Sequence, residues 1–140
     1  MLKRLRGLRG LRRRRTGTVS PDVDELLSLA RASFMQMQAA WDRADLHALG
    51  KLATAPLLEE LRWQLEERGP GPNHTEVVAL EARLLSMDDL NEAQLASVEF
   101  WGFIQEDANN AAAPFRELWL LANVKAAGHG WRLARVQALA

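Results

Sequence analysis

The sequence predicts an α+β fold in which N-terminal helices pack on a curved antiparallel sheet of about four strands. Two observations lead to this class. Apolar residues recur at steps of three and four before the segment PGPNH at residues 70–74, whereas they largely alternate with polar residues after it. Helices followed by a run of sequential strands are typical of α+β domains. A chain of 140 residues has room for one such domain.

The first half of the chain carries three helix patterns. The strongest covers residues 22–43, where the apolar positions share one face and where Ser20, followed by proline, is a favourable N-cap. Asp45 is suited to cap a short second helix with the sequence LHALGKLA. A third pattern covers residues 56–68 and stops at Gly69, a residue type that commonly ends helices. All three helices would therefore come before the sheet.

The second half carries four strand patterns. Residues 75–87 alternate, although their Ala, Leu and Glu content leaves a helix as a competitor. The apolar face predicted for this strand consists of Val78, Leu80, Ala82 and Leu84. Residues 95–105 are rich in aromatic and β-branched side chains, which favours a strand. The segments FRELWLLANVK and WRLARVQAL, separated by the turn AAGHG, complete a predicted four-stranded meander.

The N-terminal stretch MLKRLRGLRGLRRRR is strongly basic. Its eight basic residues are Lys3, Arg4, Arg6, Arg9, Arg12, Arg13, Arg14 and Arg15, and it has no acidic residue. All eighteen acidic residues lie at or after Asp22 together with ten basic ones, so a +8 arm balances a −8 remainder. We interpret residues 1–19 as a disordered arm and linker, and residues 20–140 as the domain.

Several classes of protein are excluded or disfavoured by composition. Cysteine is absent, which excludes disulfides, thiolate metal sites and cysteine nucleophiles. No long apolar run follows the basic arm, which argues against a secretory signal, and no other run approaches the length of a membrane span. The three histidines are isolated, so we expect neither a metal site nor a cofactor. Arginine outnumbers lysine fifteen to three, which is typical of a GC-rich bacterial gene.

Certain residues resemble the Tim44-like family, whose mitochondrial member tethers the protein-import motor. In the helical half, the segments FMQMQAAWDRADL and TAPLLEELRWQLEERG carry the resemblance, at Phe34, Trp41, Asp45, Leu46, Pro56, Gly69 and Asn73. In the strand half, it is carried by FRELW and GWRLARVQ, at Phe115, Glu117, Trp119, Gly130, Trp131, Leu133, Val136 and Gln137. The resemblance begins at about Asp22 and extends to the C-terminus.

The resemblance implies a cone-shaped fold similar to nuclear transport factor two, with an apolar pocket between helices and sheet. The residues that it implies line this pocket are Phe34, Trp41, Trp101, Trp119 and Trp131. It also implies a non-enzymatic binding domain associated with a membrane surface or another protein, with an apolar ligand in the pocket as a further option. Bacterial members often carry a hydrophobic N-terminal segment, whereas this chain has a basic arm. We therefore expect a cytoplasmic protein peripheral to the inner membrane.

Two carboxylates support an alternative as a small-molecule enzyme or carrier. Glu99 and Glu117 each alternate with aromatic residues along a predicted strand. If these residues face a pocket, burial would raise their pKa values toward the range in which a carboxyl group transfers protons in catalysis. A structural ion pair with Arg116, Arg132 or Arg135 is the simpler explanation.

The basic arm has two alternative binding partners, an anionic membrane and RNA. Eight positive charges would contribute about 1 kcal/mol each at an anionic leaflet. The arm has no aromatic residue to stack on bases, and the rest of the chain is acidic, so nucleic acid is the disfavoured partner. Oligomeric state is not encoded in any of these patterns.

Overall fold

The computed structural model describes residues 22–69, 73–107 and 109–139. The predicted order of three helices followed by four strands is confirmed within these residues. The elements are α1 (Val23–Arg43), α2 (Leu46–Leu52), α3 (Ala55–Arg68), β1 (Glu76–Asp89), β2 (Ala93–Gln105), β3 (Ala113–Val124) and β4 (Trp131–Ala138).

Capping groups define where the helices begin. The N-cap of α1 is Asp22, two residues after the predicted cap Ser20, which lies outside the described residues; the carboxylate of Asp22 accepts a 3.0 Å hydrogen bond from the backbone N–H of Asp24. Asp45 caps α2 as predicted, accepting from the N–H of Ala48 at 3.0 Å.

The four strands form one antiparallel sheet in the order β1-β2-β3-β4, with each strand paired to its neighbours in sequence. All three helices lie on one side of this curved sheet, α1 against β1 and the other two against β4. We call the covered side the inner face and the opposite side the outer face. The backbone N–H of Thr54 donates to the carbonyl of Leu133 at 2.9 Å, which joins the start of α3 to β4.

The inner face and the helices enclose the hydrophobic core. Its largest fully buried side chains are Trp119, Phe34, Phe100, Leu49, Leu61, Leu121, Leu133 and Val98. They come from helices and strands alike, so the helical layer and the sheet share one core.

A β-bulge between Val77 and Ala79 changes one predicted contact. The extra residue, Val78, is 56% exposed, and Val77 packs against the core instead. The prediction that Val78 shares the buried face is therefore wrong, since the bulge shifts the alternation at this position. The remainder of that predicted face, Leu80, Ala82 and Leu84, does pack against the core.

Gly102 of β2 faces the same bulge. Its φ is +156°, and a Cβ added there would lie 1.9 Å from the carbonyl oxygen of Ala79. Only glycine fits this close approach of two backbones. The bulge and Gly102 together allow β1 and β2 to stay paired at this end of the sheet.

Candidate functional site

Four aromatic rings form a cluster at the centre of the inner face. The ring of Phe34 on α1 lies 4.9 Å from Phe100, 5.1 Å from Trp119 and 5.5 Å from Phe115, measured between ring centroids. The rings of Phe100 and Trp119 meet edge to face at 5.0 Å. Phe34 and Trp119 are fully buried, so these two predicted pocket residues are packed against each other.

Glu117 lies beside this aromatic cluster. It pairs with Phe100 across β2 and β3, and its side chain is only 6% exposed. The indole Nε1 of Trp119 donates to its Oε1 at 3.0 Å. Burial raises the pKa of Glu117, and the nearby charge of Glu106 acts in the same direction, whereas the hydrogen bond from Trp119 opposes both.

A cavity of about 280 Å³ borders Glu117 at one end of the sheet. Its walls are both polar and apolar: six of the nine lining residues are apolar, and three, Glu106, Arg116 and Glu117, are charged. The residues that line it are Ile104, Glu106, Ala113, Pro114, Phe115, Arg116, Glu117, Ala138 and Leu139. This volume is just below the usual range for small-molecule sites, about 300–1,000 Å³.

Glu99 of β2 lies on the outer face. It pairs with Leu118 of β3, the residue that follows Glu117. Its Oε1 accepts a 2.5 Å hydrogen bond from Arg83 Nη2, and its Oε2 accepts from both Nε and Nη2 of Arg116, the first at 3.0 Å. The Arg116 hydrogen bond, supported by Arg83 and opposed by burial, lowers the pKa of Glu99. A carboxylate held in this way is an ion-pair acceptor and a poor base.

The other predicted pocket aromatics occupy different places. Trp101 shares the outer face with Glu99, where the guanidinium carbon of Arg83 lies 5.8 Å from its ring centroid. The Trp41 ring is covered by Arg68, whose guanidinium carbon lies 5.3 Å from the centroid. Trp131 borders a second depression of about 570 Å³ beside the first turns of α1. A ligand-lining role for the five aromatic residues stays a prediction.

Asp42 is a structurally important residue that sequence analysis did not single out. Its carboxylate accepts hydrogen bonds from the side chains of Asn73 and Thr75, at 2.9 and 3.0 Å, and from the backbone N–H of Thr75 at 2.6 Å. These bonds attach the start of β1 to the end of α1. Asp42 directly follows Trp41 in the WDRADL segment, which carries part of the family resemblance, and this position was the sequence feature that could have identified it.

The predicted basic arm lies outside the described residues. Within residues 22–69, 73–107 and 109–139, no three His, Asp or Glu side chains come together as a metal-binding group. No helix in that part of the chain has both the length and the apolar character needed to cross a membrane.

Comparison with known families identifies this architecture. The sequence profile of the Tim44-like domain matches residues 9–138. The chain belongs to the Tim44-like domain family. At the level of this family it is a non-catalytic binding domain, because Tim44-like domains are generally non-enzymatic and are associated with membrane or protein partners. None of the curated proteins matches the chain.

Solved structures agree on the fold. A nuclear transport factor 2-like superfamily protein from Salmonella enterica serovar Typhimurium is similar with a TM-score of 0.52 and 12% identity, over 84% of this chain and 92% of that one. The intermembrane space region of the chloroplast protein ARC6 is similar with a TM-score of 0.54 and 14% identity, over 81% and 95%. At these identities the likeness shows the fold alone, which confirms the predicted nuclear transport factor two-like architecture.

Proposed function

We propose that this Tim44-like domain is a non-enzymatic binding module that acts at an anionic membrane surface, to which its basic arm attaches it. The observation that carries the proposal is the separation of charge along the chain. Residues 1–15 contain eight basic and no acidic residues, while the rest of the chain carries a net charge of −8. The cytoplasmic leaflet of a bacterial inner membrane is the surface we propose, because its anionic lipids attract polybasic segments.

The arm is the part of the chain with the charge to make this attachment. A domain with a net charge of −8 is repelled by anionic lipid at long range, so attraction has to come from a segment of opposite sign. About 1 kcal/mol for each basic residue near the leaflet is sufficient for reversible binding. The family-level association of Tim44-like domains with membranes supports the same function.

Co-sedimentation with lipid vesicles tests the attachment. We expect the full chain to sediment with phosphatidylcholine vesicles that contain phosphatidylglycerol, and binding to weaken as salt is added. Deletion of residues 1–15 should abolish sedimentation and leave the circular dichroism of the domain unchanged. A matched control replaces the seven arginines of the arm with lysine, which keeps the charge and should keep the binding.

Three outcomes would contradict this proposal. Unchanged sedimentation after deletion of residues 1–15 would show that the arm is not the attachment. Co-purification of RNA that is removed by nuclease, together with weak vesicle binding, would favour an RNA-associated module. A protein partner captured equally well by the arm-deleted chain would show that association with another protein does not need the membrane.

A second candidate function, a small-molecule carrier or enzyme, is favoured by one specific observation. Glu117 is buried, its pKa is raised, and it borders a cavity whose walls are partly apolar. Such a carboxyl group would hold the polar head of a small ligand whose apolar part contacts Ile104 and Leu139. Glu99 supplies no such site, because Arg83 and Arg116 occupy its carboxylate.

Nuclear magnetic resonance spectra with benzylamine and benzyl alcohol as probes test this candidate. We expect one of the probes to shift the amide signals of Ile104, Ala113 and Leu139, and Glu117→Gln to weaken its binding about tenfold, the value of one hydrogen bond to a charged group. Glu81→Gln, an exposed change on the outer face, is the control and should have no effect. If neither probe shifts these signals, the candidate fails.

A further inference from the structure

The outer face of the sheet exposes several large apolar side chains. Val78 is 56% exposed, Phe103 is 47% exposed and Leu85 is 39% exposed. Val78 and Leu85 are the extra residues of the two β1 bulges, and Phe103 pairs with Ala79 directly beside the first bulge. No helix of the described chain covers this side of the sheet, so these side chains are available to a partner.

Arginines accompany these apolar groups. The strand register places four of the domain's ten basic residues on the outer face, namely Arg83, Arg116, Arg132 and Arg135. It also places four acidic residues there, Glu76, Glu81, Asp88 and Glu99. The outer face is therefore electrically neutral, and the other six basic and fourteen acidic residues beyond the arm carry the entire net charge of −8.

We infer that the outer face is the surface of this domain that lies against the anionic membrane. The inference rests on the proposed function and adds to it the orientation of the domain. The remainder of the domain carries the whole net charge of −8, so electrostatic repulsion by anionic lipid is weaker on the neutral outer face than on average over the other surfaces. The face thus combines a small electrostatic penalty with exposed apolar groups.

The side chains on the outer face have the chemistry of a membrane interface. The side chains of Arg83 and Arg116 are 63% and 53% exposed, although both contact the buried Glu99. Each therefore presents guanidinium surface to phosphate oxygens while its methylene groups cover the sheet. Trp101 lies under the Arg83 guanidinium, and tryptophan is enriched at the level of lipid headgroups. Phe103 and Val78 would enter the boundary between headgroups and acyl chains.

The chain offers a matched control for an exposed aromatic residue. Trp63 on α3 is 64% exposed, more than Phe103. Its neighbours three and four positions away along the helix are all acidic, namely Glu59, Glu60, Glu66 and Glu67. Trp63 is thus a large apolar group on a negative surface, where an anionic membrane would not approach.

Vesicle binding by variants of the full chain tests the inference. We expect the double variant Val78→Ser/Phe103→Ser to lower partitioning into vesicles containing phosphatidylglycerol about tenfold, because two apolar groups no longer enter the interface. Trp63→Ser should leave partitioning unchanged. Arg135→Gln should weaken it about fivefold, whereas Arg62→Gln on α3 should not weaken it. Both sets of changes lie at exposed positions, and circular dichroism verifies that each variant is folded.

The outcomes separate this inference from the proposed function. If deletion of residues 1–15 abolishes binding and the outer-face variants bind like the unmodified chain, the arm attaches the protein and the inferred orientation is wrong. If the full chain does not bind anionic vesicles, both proposals fail. If Val78→Ser/Phe103→Ser converts a dimer to a monomer in lipid-free light scattering, the face is an interface between two copies, which also overturns the inference.

Discussion

A buried glutamate lies on each face of the sheet, and the pKa values of the two are shifted in opposite directions. Glu117 on the inner face lies among aromatic rings, and burial raises its pKa. Glu99 on the outer face is also buried, at 3% exposure, but two arginines cover it and lower its pKa. The pKa of a buried carboxyl group therefore depends on which side chains bury it. The inner face favours the neutral acid and the outer face favours the carboxylate.

The largest expected difference between the faces is in packing. Phe34→Ala should lower the free energy of unfolding by about 3–5 kcal/mol, because it leaves a cavity among three other rings. Phe103→Ala on the outer face should change it by less than about 0.5 kcal/mol, since the ring is already half exposed. Urea unfolding followed by circular dichroism measures both. Equal effects would show that a partner or another copy covers the outer face.

Substitution of Gly102, where the backbones of β1 and β2 approach closely, should give the next largest loss of stability. Gly102→Ala places a methyl group against the Ala79 carbonyl, and we expect a loss of about 3 kcal/mol from steric overlap and backbone strain. Gly128→Ala is the control, because Gly128 has a φ of +70° but no atom within 4 Å of an added Cβ. It should cost only about 1 kcal/mol. Similar losses for the two variants would contradict the close approach of β1 and β2.

Removal of the arginines around Glu99 should have an intermediate effect. The double variant Arg83→Gln/Arg116→Gln leaves a buried carboxylate without a cation, and we expect a loss of about 2 kcal/mol of unfolding free energy. The loss is below that of a fully buried ion pair because both arginines are more than half exposed. Adding Glu99→Gln to the double variant should restore part of the stability. No recovery would mean that the arginines act through packing alone.

The smallest effects are expected in the pH dependence, where the two carboxylates should act with opposite sign. The lowered pKa of Glu99 stabilises the fold above its ordinary value of 4.5, and this contribution is lost as the pH falls through the folded pKa. The raised pKa of Glu117 favours the fold below 4.5, and that contribution is lost as the pH rises through the folded pKa.

Unfolding free energies of Glu99→Gln and Glu117→Gln between about pH 2 and about pH 8 separate these contributions. Relative to the unmodified chain, Glu99→Gln should become less stable as the pH rises, whereas Glu117→Gln should become more stable. Carboxyl carbon chemical shifts give the two titrations directly. Titration of both groups on the same side of 4.5 would remove the difference between the faces.

Much of the inner face was predictable from the sequence. Apolar periodicity located all three helices and all four strands and predicted that the helices pack on the sheet, and the resemblance to the Tim44-like family supplied the similarity to nuclear transport factor two. Arg116 was among the partners considered for Glu99, and the structure pairs them. Arg83 was missed because strand register decides which residues face each other, and two bulges shift that register in β1.

The sequence by itself determined the order of the elements, the acid-free basic arm and the acidic remainder, because periodicity and charge are properties of the chain. Only the tertiary structure decided that Glu99 and Glu117 face opposite sides, that Trp119 fills the core while Trp101 lies outside it, and that Val78 is exposed. These outcomes depend on register, bulges and the helices that cover one face, which arise from contacts between residues distant in sequence.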